Sequence, residues 1–128
     1  MQRINADNSI YLTRGDSIIF DVKAKVNDGD GNEQPYTFQP GDNVRFTVYG
    51  KKKCSDVELV KDFVVAYESP VVQVYLSGEE TKIGKVINKP TDYWYDVEII
   101  ANGGTQTIIG YTDNGPSLFR LFPEGSKV

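Results

Sequence analysis

Two carboxylates, Asp96 and Glu98, stand two residues apart in the stretch from Tyr93 to Ile100, YWYDVEII. On an extended strand such residues share a face, with Cα atoms roughly 7 Å apart. Inverting glycosidases hold an acid and a base at comparable separations, and Trp94 on the same face offers a ring for sugar stacking. Catalysis also needs one carboxyl desolvated more than the other, and nothing in the neighbouring sequence supplies that asymmetry. A solvated sheet face, with lysines opposite on the next strand, is the plainer expectation.

Three further constellations invite chemistry. Arg14-Gly15-Asp16 spells the integrin-adhesion tripeptide, yet the strand candidates ending at Thr13 and beginning at Ile18 leave a connection too short to project. Glycine between polar residues at such a junction is turn chemistry, because it takes left-handed angles without a Cβ clash. Asp28 to Glu33, DGDGNE, clusters carboxylates as calcium loops do. Counted from Asp28, however, the EF-hand places for Gly and the closing Glu hold Glu33 and Gln39. A hairpin loop between strands ending near Val26 and starting near Tyr36 accounts for these residues.

Histidine is absent, which removes the commonest general base and metal ligand and every Ser-His-Asp or Cys-His arrangement. Asn102-Gly103-Gly104 lacks the lysine and following helix of a phosphate loop. No catalytic residue, cofactor site or metal site is therefore expected. Eight tyrosines and one tryptophan remain as contact formers. Trp94, Tyr49, Tyr67 and Tyr111 are the expected interaction residues, with Tyr11 and Tyr75 as further surface tyrosines.

The elements that position these residues read as strands. Ile18, Phe20, Val22, Ala24 and Val26 alternate with polar residues, Ile19 being the one apolar residue on the polar side. Val44, Phe46 and Val48 alternate within Asn43 to Tyr49, and Tyr93, Tyr95, Val97 and Ile99 alternate within Tyr93 to Ile100. Val71 to Leu76 is more evenly apolar. Ile10–Thr13, Leu59–Val65, Gln106–Thr112 and Leu118–Phe122 complete about eight short strands. Turn residues separate them at Asp28–Asn32, Gln39–Asp42, Asn102–Gly104 and Asp113–Pro116. Ser77-Gly-Glu-Glu80 has the form of a capping box and predicts one short helical turn. Many strands with frequent turns give an all-β sandwich or barrel.

At 128 residues the chain, 1–128, is expected to be a single domain with its own core. A net charge of −4, with Lys51-Lys52-Lys53 the only basic run, argues against nucleic acid as a partner. Cys54 is alone, so no internal disulfide forms and a reducing compartment fits. The N-terminus lacks the apolar core of a secretory signal, and no apolar run approaches a membrane span. Neither secretion by the usual route nor a membrane partner is expected.

Three stretches together resemble a phage and prophage tail module, similar to the N-terminal domain of baseplate upper proteins of phages of Gram-positive bacteria. The first, Ile10 to Lys51, carries LTRGD, a strand, a Gly-rich loop, the Tyr36-Thr-Phe-Gln-Pro-Gly-Asp42 segment and VRFTV. In the second, Leu76 to Ile100, Glu80-Thr81 stands where the family has a short E-D-T helix, and Tyr93-Trp-Tyr-Asp-Val97 where it has Y-x-Y-D-I/V. Asn88 to Asp92 replaces the usual Gly before that strand. The third, Gly103 to Gly125, resembles the paired final strands.

That resemblance implies an immunoglobulin-like antiparallel β-sandwich acting as a non-enzymatic virion structural protein of the tail or baseplate, made in the bacterial cytoplasm. Its partners would be other phage tail or baseplate proteins or further copies of itself, and its work would be assembly by protein-protein docking. A carbohydrate-binding or host-surface adhesion module using Trp94 is the alternative. Under the resemblance, Thr13-Arg14-Gly15-Asp16 is a framework turn.

Overall fold

The computed structural model describes residues 2–27, 31–53, 55–85, 88–101, 104–109 and 116–123. Among these the chain forms β1 (Gln2–Ile4), β2 (Ile10–Thr13), β3 (Ile18–Val22), β4 (Lys25–Asn27), β5 (Glu33–Pro35), β6 (Asn43–Lys51), β7 (Ser55–Val64), β8 (Val72–Leu76), β9 (Thr91–Ala101), β10 (Gly104–Ile109) and β11 (Ser117–Phe122), with no helix. The protein is all-β.

One large sheet runs in the order β1-β2-β11-β9-β6-β7. One edge of β9 serves two partners in succession, β11 along Thr91–Tyr95 and β10 along Val97–Ala101. Two ribbons, β3-β8 and β4-β5, complete the strands. Period two decides what is buried. Ile10 and Leu12 on β2, Phe119 and Leu121 on β11, Tyr93, Tyr95, Val97 and Ile99 on β9, and Val44, Phe46 and Val48 on β6 all lie in the core. Ile18, Val22, Val74 and Leu76 of the β3-β8 ribbon belong to that same core and cover this inner face.

Phe46 joins the layers. Its ring stacks on Tyr95 at 5.3 Å and meets Phe119 and Phe20 edge-on at 6.2 and 6.1 Å, the last across the two layers. Full burial of such a ring contributes roughly 1.5–3 kcal/mol. The Tyr95 hydroxyl donates to the Asn8 carbonyl, so its polar tip is satisfied, and burial pushes it above its ordinary titration range.

Two turns fix the chain ends of this core. Gln39-Pro40-Gly41-Asp42 closes with Asp42 N donating to Gln39 O, proline preset in second place and Gly41 at φ +93° in third. The Asp42 carboxylate accepts from Gln39 N and from the Tyr36 hydroxyl, and that hydrogen bond pushes Tyr36 up to about 12. Thr13-Arg14-Gly15-Asp16 has the same form, with Gly15 at φ +94° and Asp16 N donating to Thr13 O.

The second turn locks onto another segment. Arg14 is 6% exposed, and its guanidinium donates to the carbonyls of Lys82, Ile83 and Gly84 at 3.0–3.2 Å. Fully buried Thr81 accepts from Gly15 N at 3.0 Å and directs its hydroxyl at the Asp16 and Gly78 carbonyls. Ser77 and Glu80 form the expected reciprocal capping box, with Glu80 N donating to Ser77 Oγ and Ser77 N to Glu80 Oε1. The segment then stops after one hydrogen-bonded turn and no helix forms; the Lys82, Ile83 and Gly84 carbonyls beyond it accept from Arg14.

Several elements differ from expectation. Ile18 to Val26 is two strands, since Tyr36 N donates to Ala24 O and the chain leaves β8 for β5. Ile19, the exception to the alternation, is half exposed opposite Tyr75. β1 and β5 are three residues each, too short to show a period. The sheet is also not wholly antiparallel: β11 pairs with β2 in parallel. Parallel neighbours need a long crossover, and residues 14–116 between these two strands provide one.

A Cβ built at Gly78 would meet the Gly15 carbonyl oxygen at 2.4 Å. Gly78→Ala is therefore expected to cost roughly 1–3 kcal/mol as the two turns are forced apart. Thr81→Val keeps the shape but strands the Gly15 N–H, at about 2 kcal/mol. Urea denaturation of both variants checks these values.

Candidate functional site on the outer face of the sheet

Side chains opposite to the core parity point to the other face of the large sheet. Register aligns four of them crosswise: Leu118 of β11 opposes Trp94 of β9, Trp94 opposes Tyr49 of β6, and Tyr49 opposes Val57 of β7. Leu118, Trp94 and Tyr49 are half-buried and Val57 is 57% exposed, so an apolar row crosses four strands at the surface. Val60 and Val64, farther along β7, are 49% and 70% exposed. Ion pairs flank the row. Arg120 grips Asp92 through Nε and a second nitrogen on one side, and Arg45 grips Asp62 likewise on the other. Each pairing holds its arginine more firmly protonated, and Arg45 holds the Asp62 carboxyl below its ordinary value.

Asp96 lies behind the row and is 3% exposed. Tyr49 donates to its Oδ2 at 2.9 Å, while Oδ1 is covered and makes no hydrogen bond. The expectation of a solvated carboxylate is therefore corrected. Asp96 sits at the one β9 residue between the segment paired with β10, which reaches Val97, and that paired with β11, which starts at Tyr95. Thr47, opposite it on β6, is buried as well. Burial pushes the Asp96 carboxyl above its ordinary 3.8; the Tyr49 hydrogen bond pulls it back, and the nearby charge of Glu98 pushes it up. Glu98 itself is half-buried and faces Arg45, an arginine where lysine was expected.

Of the expected contact residues, the fold brings Trp94 and Tyr49 together and leaves Tyr67 apart, 83% exposed between β7 and β8. Tyr111 lies outside the described residues, as do Cys54 and Asp28 to Asp30 of the acidic loop, whose flanking strands β4 and β5 do pair as a hairpin. Tyr11 is on this outer face between the guanidinium groups of Arg3 and Arg120, 4.8 and 5.4 Å from its ring. Sequence reasoning missed Leu118, Val57 and Val60. Val57 precedes the expected Leu59–Val65 strand and lies beyond a bulge that reverses its parity, and which residues stand opposite Trp94 depends on register. No group of three potential metal ligands converges among the described residues, and no helix of the described residues is long and apolar enough to cross a membrane.

The tripeptide Arg14-Gly15-Asp16 is placed by the same geometry. Integrin recognition engages both charged side chains, and here the guanidinium is committed to three backbone carbonyls. Compared with protein-family models, curated proteins and solved structures, the chain matches none.

Two outcomes follow from these placements. A group whose carboxyl titrates higher in the folded state loses stability as pH rises from the ordinary value near 3.8 through its raised one. The stability of Asp96→Asn relative to the parent protein should therefore improve between that pH and neutrality, and a flat difference in paired denaturation curves would contradict it. Cells plated on the immobilised protein should show no adhesion that a soluble Arg-Gly-Asp peptide competes away.

Proposed function

We propose that this protein is a non-enzymatic structural component of a phage or prophage tail or baseplate, and that the row Leu118-Trp94-Tyr49-Val57 is where another tail subunit docks. The carrying observation is that row: large, half-exposed apolar side chains aligned across four strands and rimmed by arginine-carboxylate pairs. A centre of aromatic and aliphatic contacts with a charged border has the anatomy of a protein-protein interface. Three stretches resembling the tail module supply the virion setting. Two of them, LTRGD and the segment with Glu80-Thr81, are bonded to each other through Thr81 and Arg14, which suits motifs kept for framework.

On this reading the fold is an immunoglobulin-like sandwich of about eight principal strands. Support comes from the β3-β8 ribbon covering the inner face of the large sheet. The Asp96 geometry favours docking over sugar binding or glycoside hydrolysis, since Oδ1 is sealed from solvent and the other oxygen is held by Tyr49.

Purified particles from an induced lysogen, probed with an antibody to this chain, should contain it. Replacing Trp94 with Ala and Val57 with Lys should lower its incorporation at least about tenfold, as loss of an aromatic anchor does at interfaces, while the circular dichroism spectrum is unchanged. Absence of the chain from particles would refute the virion assignment. Glycan binding that Trp94→Ala removes would refute the docking role.

A further inference from the structure

By residue class the row on the outer face reads the same in both directions: aliphatic Leu118, aromatic Trp94, aromatic Tyr49, aliphatic Val57. Its midpoint lies between β9 and β6. Consider a two-fold axis through that midpoint, parallel to the strands and lying in the plane of contact with a second copy. Such an axis sets Leu118 over Val57 and Trp94 over Tyr49, and each pairing occurs twice. An isologous interface requires a patch that is complementary to itself in this way. Packed sheets keep their strand directions within about 30° of one another, a condition that this axis meets.

The charges obey the same symmetry. On the two central strands the accessible charged residues of outer parity are Arg45 and Lys51 on β6 and Asp92 and Glu98 on β9. Arg45 opposes Glu98 four residues from the Tyr49-Trp94 pair, and Lys51 and Asp92 each lie two residues beyond that pair on its other side. The axis exchanges β6 with β9. Arg45 of one copy therefore comes over Glu98 of the other, and Lys51 over Asp92. On the flanking strands Asp62 of β7 comes over Thr107 of β10, and Arg120 of β11 over Ser55 of β7. Asp56, the neighbour of Ser55 that pairs with Lys51, falls beside that same Arg120. No two of these residues of like sign face each other. Turning the patch about the row itself would instead put Asp92 over Asp96, so charge selects the axis along the strands.

We propose that the occupant of the row is a second copy of this chain, joined through the two outer faces about a two-fold axis parallel to β6 and β9. This occupancy rests on the docking role given to the row above and is independent of the virion setting. A contact of this kind closes on itself, so association stops at two copies.

Sedimentation velocity of the purified protein tests it, with a dimer expected and nothing larger. Trp94→Ala should weaken dimerisation about tenfold or more, since an aromatic anchor is lost from both copies. Lys51→Glu brings acids face to face at two symmetric places, and Asp92→Lys brings cations together at the same two. Each variant alone should dimerise about tenfold more weakly than the parent. Mixed, the two should pair with each other as the parent does with itself, because unlike charges then meet at both places. Circular dichroism checks that each variant is folded.

A parent protein that stays monomeric up to about 1 mM would overturn the proposal. If Trp94→Ala still blocks incorporation into particles in that case, the docking role stands and the occupant is a different chain. A dimer that neither Trp94→Ala nor the charge reversals weaken would place the contact elsewhere and overturn it, as would weakened variants that mixing fails to restore. Trp94→Ala that alters neither dimerisation nor incorporation would remove the docking role as well.

Discussion

The buried guanidinium of Arg14 and the hydroxyl of Thr81 hold together two turns that are more than sixty residues apart in the chain. A charged side chain removed from water is costly unless its donors are met, and here three carbonyls in succession meet them. These carbonyls are free only because the Ser77 segment stops after one turn. The segment in turn can approach only because Gly78 has no side chain to strike the Gly15 carbonyl. Through this junction β2 leaves the large sheet and β3 begins the ribbon that covers it. The two layers are therefore registered on each other by polar bonds as well as by the apolar contacts of Phe46.

Given that registration, the two faces of the sheet diverge in role. The inner face meets the ribbon and is filled with rings and branched side chains. The outer face has no described layer against it, yet it carries an aromatic and aliphatic row and a nearly buried carboxylate. Polar sheets facing water normally alternate charge and hydroxyl on that side. The departures lie along one line from Leu118 to Val57, with ion pairs beside it. β7, the long edge strand, meanwhile carries an inward-pointing Lys61 held by Glu80 and a bulge opposite Val48 and Tyr49. Both features discourage indiscriminate strand pairing, which leaves the outer face as the surface suited to specific contact.

The integrin-like tripeptide illustrates how spacing within a sequence misleads where burial rules. Arg14, Gly15 and Asp16 are adjacent in the chain, but only Asp16 is exposed. The glycine is there for its positive φ and the arginine for the carbonyls of a distant turn. Asp96 is the converse case. Its neighbours along β9 gave no sign of desolvation, because what covers and bonds it includes Tyr49 and Thr47 on another strand.

Local pattern determined the strands whose alternation spans a full element: β6 and β9 were legible with their inward residues, and β2 was legible to the residue. The capping box at Ser77 and the turns at Thr13 and Gln39 were legible too, because they depend on hydrogen bonds and φ preferences within four residues. Tertiary structure alone decided the parallel pairing of β11 with β2, the division of β3 from β4, the row opposite Trp94 and the burial of Asp96. All of these depend on which strands lie side by side and in what register. Periodicity says which way a side chain points; it carries no information about what stands across from it.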